Sequence, residues 1–146
     1  MSARVASILQ RKGYAVVTIG PQESLGTAAG SMTEHGVGSL VVTRDGRTVD
    51  GVLSERDVIR ALARHGSGAI DLPVGQVTDP SVTICHPDTG IDELVVTMTQ
   101  QRIRHLPVVE GGRLVGIVSI GDVVKWRMDE LAMEARHLEA YVSGGY

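Results

Sequence analysis

The sequence predicts an α+β fold: two β-α-β-β-α units packed about a pseudo-twofold axis, with an extended C-terminal helix. Three observations carry this. One pattern of residues is stated twice, at a spacing that stays at 65 or 66 residues. Within each statement, β-rich runs bounded by glycine or proline alternate with segments of helical apolar periodicity. After the second statement the apolar spacing runs on, well beyond the length of the equivalent first-copy helix.

In chain order, residues 1–14 form an N-terminal helical segment with Val5, Ile8 and Leu9 on one face and Gly13 as its stop. Residues 15–68 make the first repeat and 69–130 the second. Each opens on a short strand, "AVVTI" or "SVTI", ended by Gly20-Pro21 or His86-Pro87. A helix follows, clearest where Ile91, Leu94, Val95 and Met98 recur at i, i+3, i+4 and i+7; Met32 and Val37 of the first copy return as Met98 and Ile103. "SLVVT", a turn over Arg44-Asp45-Gly46-Arg47 and "VDGVLS" predict a β-hairpin, mirrored by "LPVV", Gly111-Gly112 and "LVGIVS". A second helix closes each unit. Between the copies, Asp71 or a neighbour can start a single helical turn through Val74 and Val77. In the extension and tail, residues 131–146, a stripe begun at Val124 and Met128 continues through Leu131, Ala135, Leu138 and Val142, alternately four and three apart. That heptad-like spacing predicts a contact with a second chain.

Composition limits the function. The chain of 146 residues is 42% hydrophobic, enough for one ordinary domain or two small units sharing a core. Its apolar runs are strand-length and its first residues lack a signal peptide's apolar stretch, so a soluble cytoplasmic protein is expected. A single cysteine, Cys85, excludes an internal disulfide and any CxxC zinc or redox arrangement. A net charge of −3, with no Phe, one Trp and three Tyr, disfavours a nucleic-acid surface.

The chemistry concentrates where each hairpin runs into its second helix, at "GVLSERD" and "GIVSIGD". Ser54 and Asp57, and likewise Ser119 and Asp122, have the spacing of a helix cap and need no ligand for that role. The same helix N-terminus also attracts an anion, and an acceptor-only carboxylate one turn on suits the paired hydroxyls of a ribose. Serine and aspartate at the lip of an apolar strand are therefore the candidate clamp for a nucleoside phosphate.

The doubled pattern "M-x4-[VI]-x2-L-x-V", hairpin, "G-[VI]-[LV]-S-x-x-D-V" resembles a tandem pair of CBS domains (the cystathionine β-synthase type), also called a Bateman module. The likeness covers roughly residues 15 to 130, and "IRHLPVV" and "LVGIVSIGD" are especially close to it. It implies a disc of two units whose clefts take AMP, ADP, ATP, S-adenosylmethionine or NAD, and which pairs as a homodimer. By the same resemblance, Asp57 and Asp122 stand at the ribose-binding positions and Ser54 and Ser119 at the phosphate. The backbones of Thr18-Ile19, Thr83-Ile84, Leu40-Val41 and Leu106-Pro107 stand at the walls of the adenine slot. Arg104 and His105 match a basic pair facing phosphate; a solvated Arg104 and a strand-capping His105 are the structural alternatives.

The copies differ where charge matters. Arg104-His105 corresponds to Gly38-Ser39, and Glu55-Arg56 to Ile120-Gly121, with Arg56 able to reach a phosphate in either cleft. Two clefts of different affinity or ligand type are expected. No nucleophile, paired acid and base, or metal cluster stands at a persuasive spacing, and neighbours such as Cys85 and His86 on an extended strand point apart. A non-enzymatic sensor of adenosine-containing nucleotides is expected, acting on a regulated protein partner in trans or through its dimer. NAD joins the candidates because a charged cleft and a more neutral one could each take half of a dinucleotide. The rival reading is a dimeric scaffold whose clefts bind nothing.

Overall fold

Helix α1 (Val5–Lys12) starts the computed structural model, which describes residues 3–144. Its buried face is Val5, Ile8 and Leu9, as the spacing predicts, and it ends at Gly13 with φ of 103°. The first repeat follows as β1 (Thr18–Ile19), α2 (Leu25–His35), β2 (Ser39–Val42), β3 (Gly51–Ser54) and α3 (Glu55–His65). Strand β1 runs parallel to β2, and β2 antiparallel to β3 with Ser39 opposite Ser54. A 3-10 turn (Gly66–Asp71) leads to the short helix α4 (Val74–Val77), which starts after Pro73 rather than at Asp71. The second repeat supplies α5 (Ile91–Gln101), β4 (His105–Glu110), β5 (Arg113–Ser119) and α6 (Ile120–Gly144). Gly111 and Gly112, at φ of 59° and 77°, close the β4–β5 hairpin in the left-handed pair that a tight turn requires.

One expected strand is nearly absent. In the second copy "SVTI" forms no strand, and its place is taken by a single parallel bridge from Cys85 to Val108. In the first copy the contact of β1 with β2 includes two bonds at its ends, Val41 N–H to Val17 O and Thr43 N–H to Ile19 O. The second of these has its counterpart in Val109 N–H to Cys85 O. The first would need an N–H at Pro107, which has none, so the ladder shortens. These bonds also set the register: Cys85 matches Ile19, and both are buried, while Ile84 is exposed. The sequence pairing of Ile84 with Ile19 is one residue out, and a one-residue slip reverses the faces of a strand.

The cores exchange their leading segments. Val5, Ile8 and Leu9 of α1 pack with Cys85, Ile91, Leu94, Leu106, Val108 and Val118 of the second repeat. Ala69 and Val74 join Ile19, Leu25, Leu40 and Leu53 of the first. The hydrogen bonds repeat the exchange. Val5 and Ala6 donate to Thr89 O and Pro87 O, as Val74 and Gly75 donate to Glu23 O and Pro21 O. Helices α1 and α4 are therefore pseudo-equivalents, each preceding one repeat and docking on the other. Three buried apolar side chains stabilise the α1 contact by roughly 1.5–3 kcal/mol each.

Helix α6 is docked at its start, where Val123 is buried, and then leaves the core. Met128, Leu131 and Leu138 are each 64% exposed, so this part of the heptad-like stripe is uncovered among the described residues. Among the described residues no helix is long and apolar enough to cross a membrane.

Candidate functional site

Both S-x-x-D motifs are helix caps. Ser54 accepts the Asp57 N–H, while Asp57 Oδ2 accepts the Ser54 N–H at 2.8 Å and the Ser54 hydroxyl at 3.0 Å. Ser119 and Asp122 repeat the arrangement at the start of α6, with bonds of 2.8 and 3.1 Å. The capping role is real, and it fixes each carboxylate at the start of its helix. What surrounds them then decides what else they can do.

Asp57 opens onto a cleft of about 350 Å³. The first repeat contributes Gly38, Val52, Ser54, Glu55 and Arg56; the second contributes Asp79, the strip Ser81 to Thr83, and Gln101 to His105. Among the described residues the ion-pair partner of Asp57 Oδ1 is the Arg60 guanidinium, at 3.8 Å. Val52, Val82 and Ile103 form apolar walls suited to a flat ring. The guanidiniums of Arg56, Arg102 and Arg104 make no ion pair among the described residues. Glu55, Asp57 and Asp79 balance their formal charge, so an anion would be held by the placement of the guanidiniums, not by a net field. Thr83 is engaged already, its hydroxyl donating to Gln101 Oε1.

Arg102 is a cleft residue that the motif reading misses. It caps α5 with φ of 55°, the sole non-glycine residue at positive φ among the described residues, and its first-copy counterpart is Gly36 at φ of 63°. A side chain in the left-handed region carries strain that commonly marks a functional position. Arginine where the matching helix end has glycine was the signal available in the sequence.

His105 lies on β4 opposite Ser119 and lines the same cleft. Burial lowers its pKa, and the charges of Lys12 and Arg104 add to that while Asp122 and Glu55 oppose it, with a net shift downward. Asp122 is in a different state from Asp57. The Lys12 ammonium donates to its Oδ2 at 2.7 Å and to Ile117 O at 2.9 Å. Burial raises the Asp122 pKa, but the Lys12 and Ser119 hydrogen bonds outweigh it and the net shift is downward.

Thr18, Ile19, Leu40, Val41, Ile84, Leu106 and Pro107 do not line the Asp57 cleft. Ile19, Leu40, Val41 and Leu106 are buried in the strands, and Thr18 and Ile84 face outward. Cys85 is buried, and that burial pushes its thiol up to about 12. His86 is turned to Val109 O, 2.8 Å from its Nδ1. Among the described residues no group of three or more His, Cys, Asp or Glu side chains is placed to hold a metal ion.

A capped hairpin in each repeat, built to one plan, defines a pair of like domains. Residues 5–64 and 74–129 each match the CBS domain, and the chain belongs to the CBS-domain family. It is 37% identical over 123 residues to a mitochondrial CBS domain-containing protein of Arabidopsis thaliana; the match takes in 82% of this chain and 60% of that one. Among solved structures it resembles a CBS-domain containing protein of Agrobacterium tumefaciens, with 43% identity and a TM-score of 0.83 over 87% of this chain and 95% of that one. A CBS domain pair solved with 5-methylthioadenosine and S-adenosyl-L-methionine shares the fold at a TM-score of 0.75 and 21% identity, over 89% and 99% of the two chains.

Proposed function

We propose that this chain is a non-catalytic sensor that binds an adenosine-containing nucleotide in the Asp57 cleft and passes its occupancy to a protein partner or through its own homodimer. The observation that carries this reading is a helix-capping carboxylate lining a cleft that also holds three guanidiniums with no ion pair among the described residues. Asp57 would accept the ribose hydroxyls, the N-terminus of α3 and Arg56, Arg102 and Arg104 would take phosphate, and Val52, Val82 and Ile103 would cover the base. A cleft of about 350 Å³ lies near the lower end of small-molecule sites, which favours AMP, ADP or ATP over NAD. Guanidiniums beside the ligand favour a phosphate over the sulfonium of S-adenosylmethionine, although adenosyl binding by a distant structural relative supports the nucleoside part. A buried free thiol suits the reducing cytoplasm. Exposed apolar residues on α3, Ile59 and Leu62, and on α6, Val124 and Met128, would be covered in the homodimer.

Equilibrium dialysis against AMP, ADP, ATP, NAD and S-adenosylmethionine tests the reading. Retention of an adenine nucleotide, lost on changing Asp57, is expected. A protein that retains none of them is the scaffold of the rival reading.

A further inference from the structure

We infer that the two clefts have different occupants, the nucleotide in the Asp57 cleft and the chain's own Lys12 in the Asp122 cleft, so that one nucleotide binds per chain. Occupancy of the first cleft rests on the reading above. Occupancy of the second rests on separate geometry. Helices α1 and α4 are pseudo-equivalents, but α4 has 4 residues and α1 has 8. The additional turn of α1 carries Lys12 onto Asp122, whereas α4 ends at Val77 and the chain after it runs along the Asp57 cleft as Asp79 and Ser81 to Thr83.

A lysine at a helix C-terminus ordinarily needs no explanation beyond the dipole. Here the ammonium turns away from its own helix and reaches Asp122 Oδ2 and Ile117 O on another repeat. Its helix is pinned beside it. Arg11 pairs with Asp129 at 3.0 Å and stacks 4.3 Å above the Trp126 ring, leaving a cavity of only about 90 Å³ between α1 and α6. Lys12 thus sets a positive donor against the carboxylate that corresponds to Asp57.

The phosphate groups are missing as well. Gly121 stands where the first cleft has Arg56, Gly36 where it has Arg102, and Gly38 where it has Arg104. Each of the three guanidiniums is a glycine in the pseudosymmetric position. A nucleotide arriving at Asp122 would find its ribose acceptor neutralised, no counterpart of Arg56, Arg102 or Arg104 for its phosphate, and the neighbouring Arg11 already paired with Asp129. Lys12 is in this sense a specificity-determining residue that restricts nucleotide binding to one side of the disc.

Calorimetry with AMP and with adenosine tests this on the full chain. Wild type binds one AMP; Lys12→Met, which keeps the length of the side chain and removes its charge, gains a second adenosine site, while AMP affinity at the first cleft changes by less than about twofold. Two AMP per wild-type chain, or no second adenosine site in Lys12→Met, overturns the inference. If neither protein binds either probe, the nucleotide reading falls, and labelling still decides the occupant of the second cleft. The chain has two lysines, Lys12 and the exposed Lys125. Acetylation by an activated ester should modify Lys12 several-fold more slowly than Lys125 in wild type and equally fast in Asp122→Asn; equal rates in wild type contradict a filled cleft.

Discussion

Replacing Asp57 with asparagine separates the two jobs of this carboxylate. Its Oδ2 holds the Ser54 N–H and hydroxyl, and the residue also lines the cleft. Asparagine keeps one carbonyl acceptor, so the N–H of Ser54 remains bonded and only part of the cap is lost. A full capping contribution is about 0.5–2 kcal/mol, so the partial loss should be about 0.5 kcal/mol, or roughly 2 °C in Tm at this chain length. Binding should suffer more. A hydrogen bond to a charged group contributes about 1.5–3 kcal/mol, so the affinity for AMP should fall roughly 10- to 100-fold. Calorimetric titration with AMP, paired with thermal melts of the free protein, reads both quantities. The matched change Asp122→Asn should lower Tm through loss of the Lys12 pair and leave AMP affinity unchanged. An Asp57→Asn protein that melts lower yet binds AMP like wild type would show that the carboxylate is a cap and nothing more.

Four further outcomes follow from the same geometry. Arg102→Gly removes a side chain from a left-handed backbone, a gain of about 1–2 kcal/mol offset by about 0.5–1 kcal/mol of glycine entropy, so urea melts should show a net gain of about 0.5–1 kcal/mol while AMP binding weakens. For His105 the folded pKa is depressed below its ordinary 6.5, so the unfolded chain takes up the proton first. Its contribution to stability is complete above that value and declines as pH falls through it, and denaturant melts from pH 7.5 to 5.5 should show a slope that His105→Asn flattens. Cys85, with its thiol pushed up to about 12, should resist iodoacetamide at pH 8 until the chain is unfolded. Met128→Glu with Leu131→Glu, both 64% exposed, should convert a dimer to monomer by light scattering while changing monomer stability by less than about 0.5 kcal/mol per site.

The repeat and its elements are legible because they are written in local chemistry: the i, i+3, i+4 spacing in α5, the paired glycines of the second hairpin, and the serine and aspartate that cap α3 and α6. The shortened strand of the second copy was also written there, in Pro107, but its effect appears only when the partner that it denies a bond is known. Two features were beyond local reading. That α1 docks on the repeat it does not precede depends on chain crossing, which leaves no mark in periodicity. Lys12 looks like any basic residue in a last helical turn, and its partner lies 110 residues away. Arg102 stands between these cases, since comparing helix ends would have found it opposite Gly36. The unequal charge of the two motifs was visible, but the pairing of Lys12 with Asp122 was not.

A crystal structure of the protein grown with AMP tests the central claim most directly. The account predicts one nucleotide per chain, its ribose on Asp57 and its phosphate among Arg56, Arg102 and Arg104, with Lys12 still bonded to Asp122. Nucleotide density at Asp122, or none at Asp57 under saturating AMP, would contradict it.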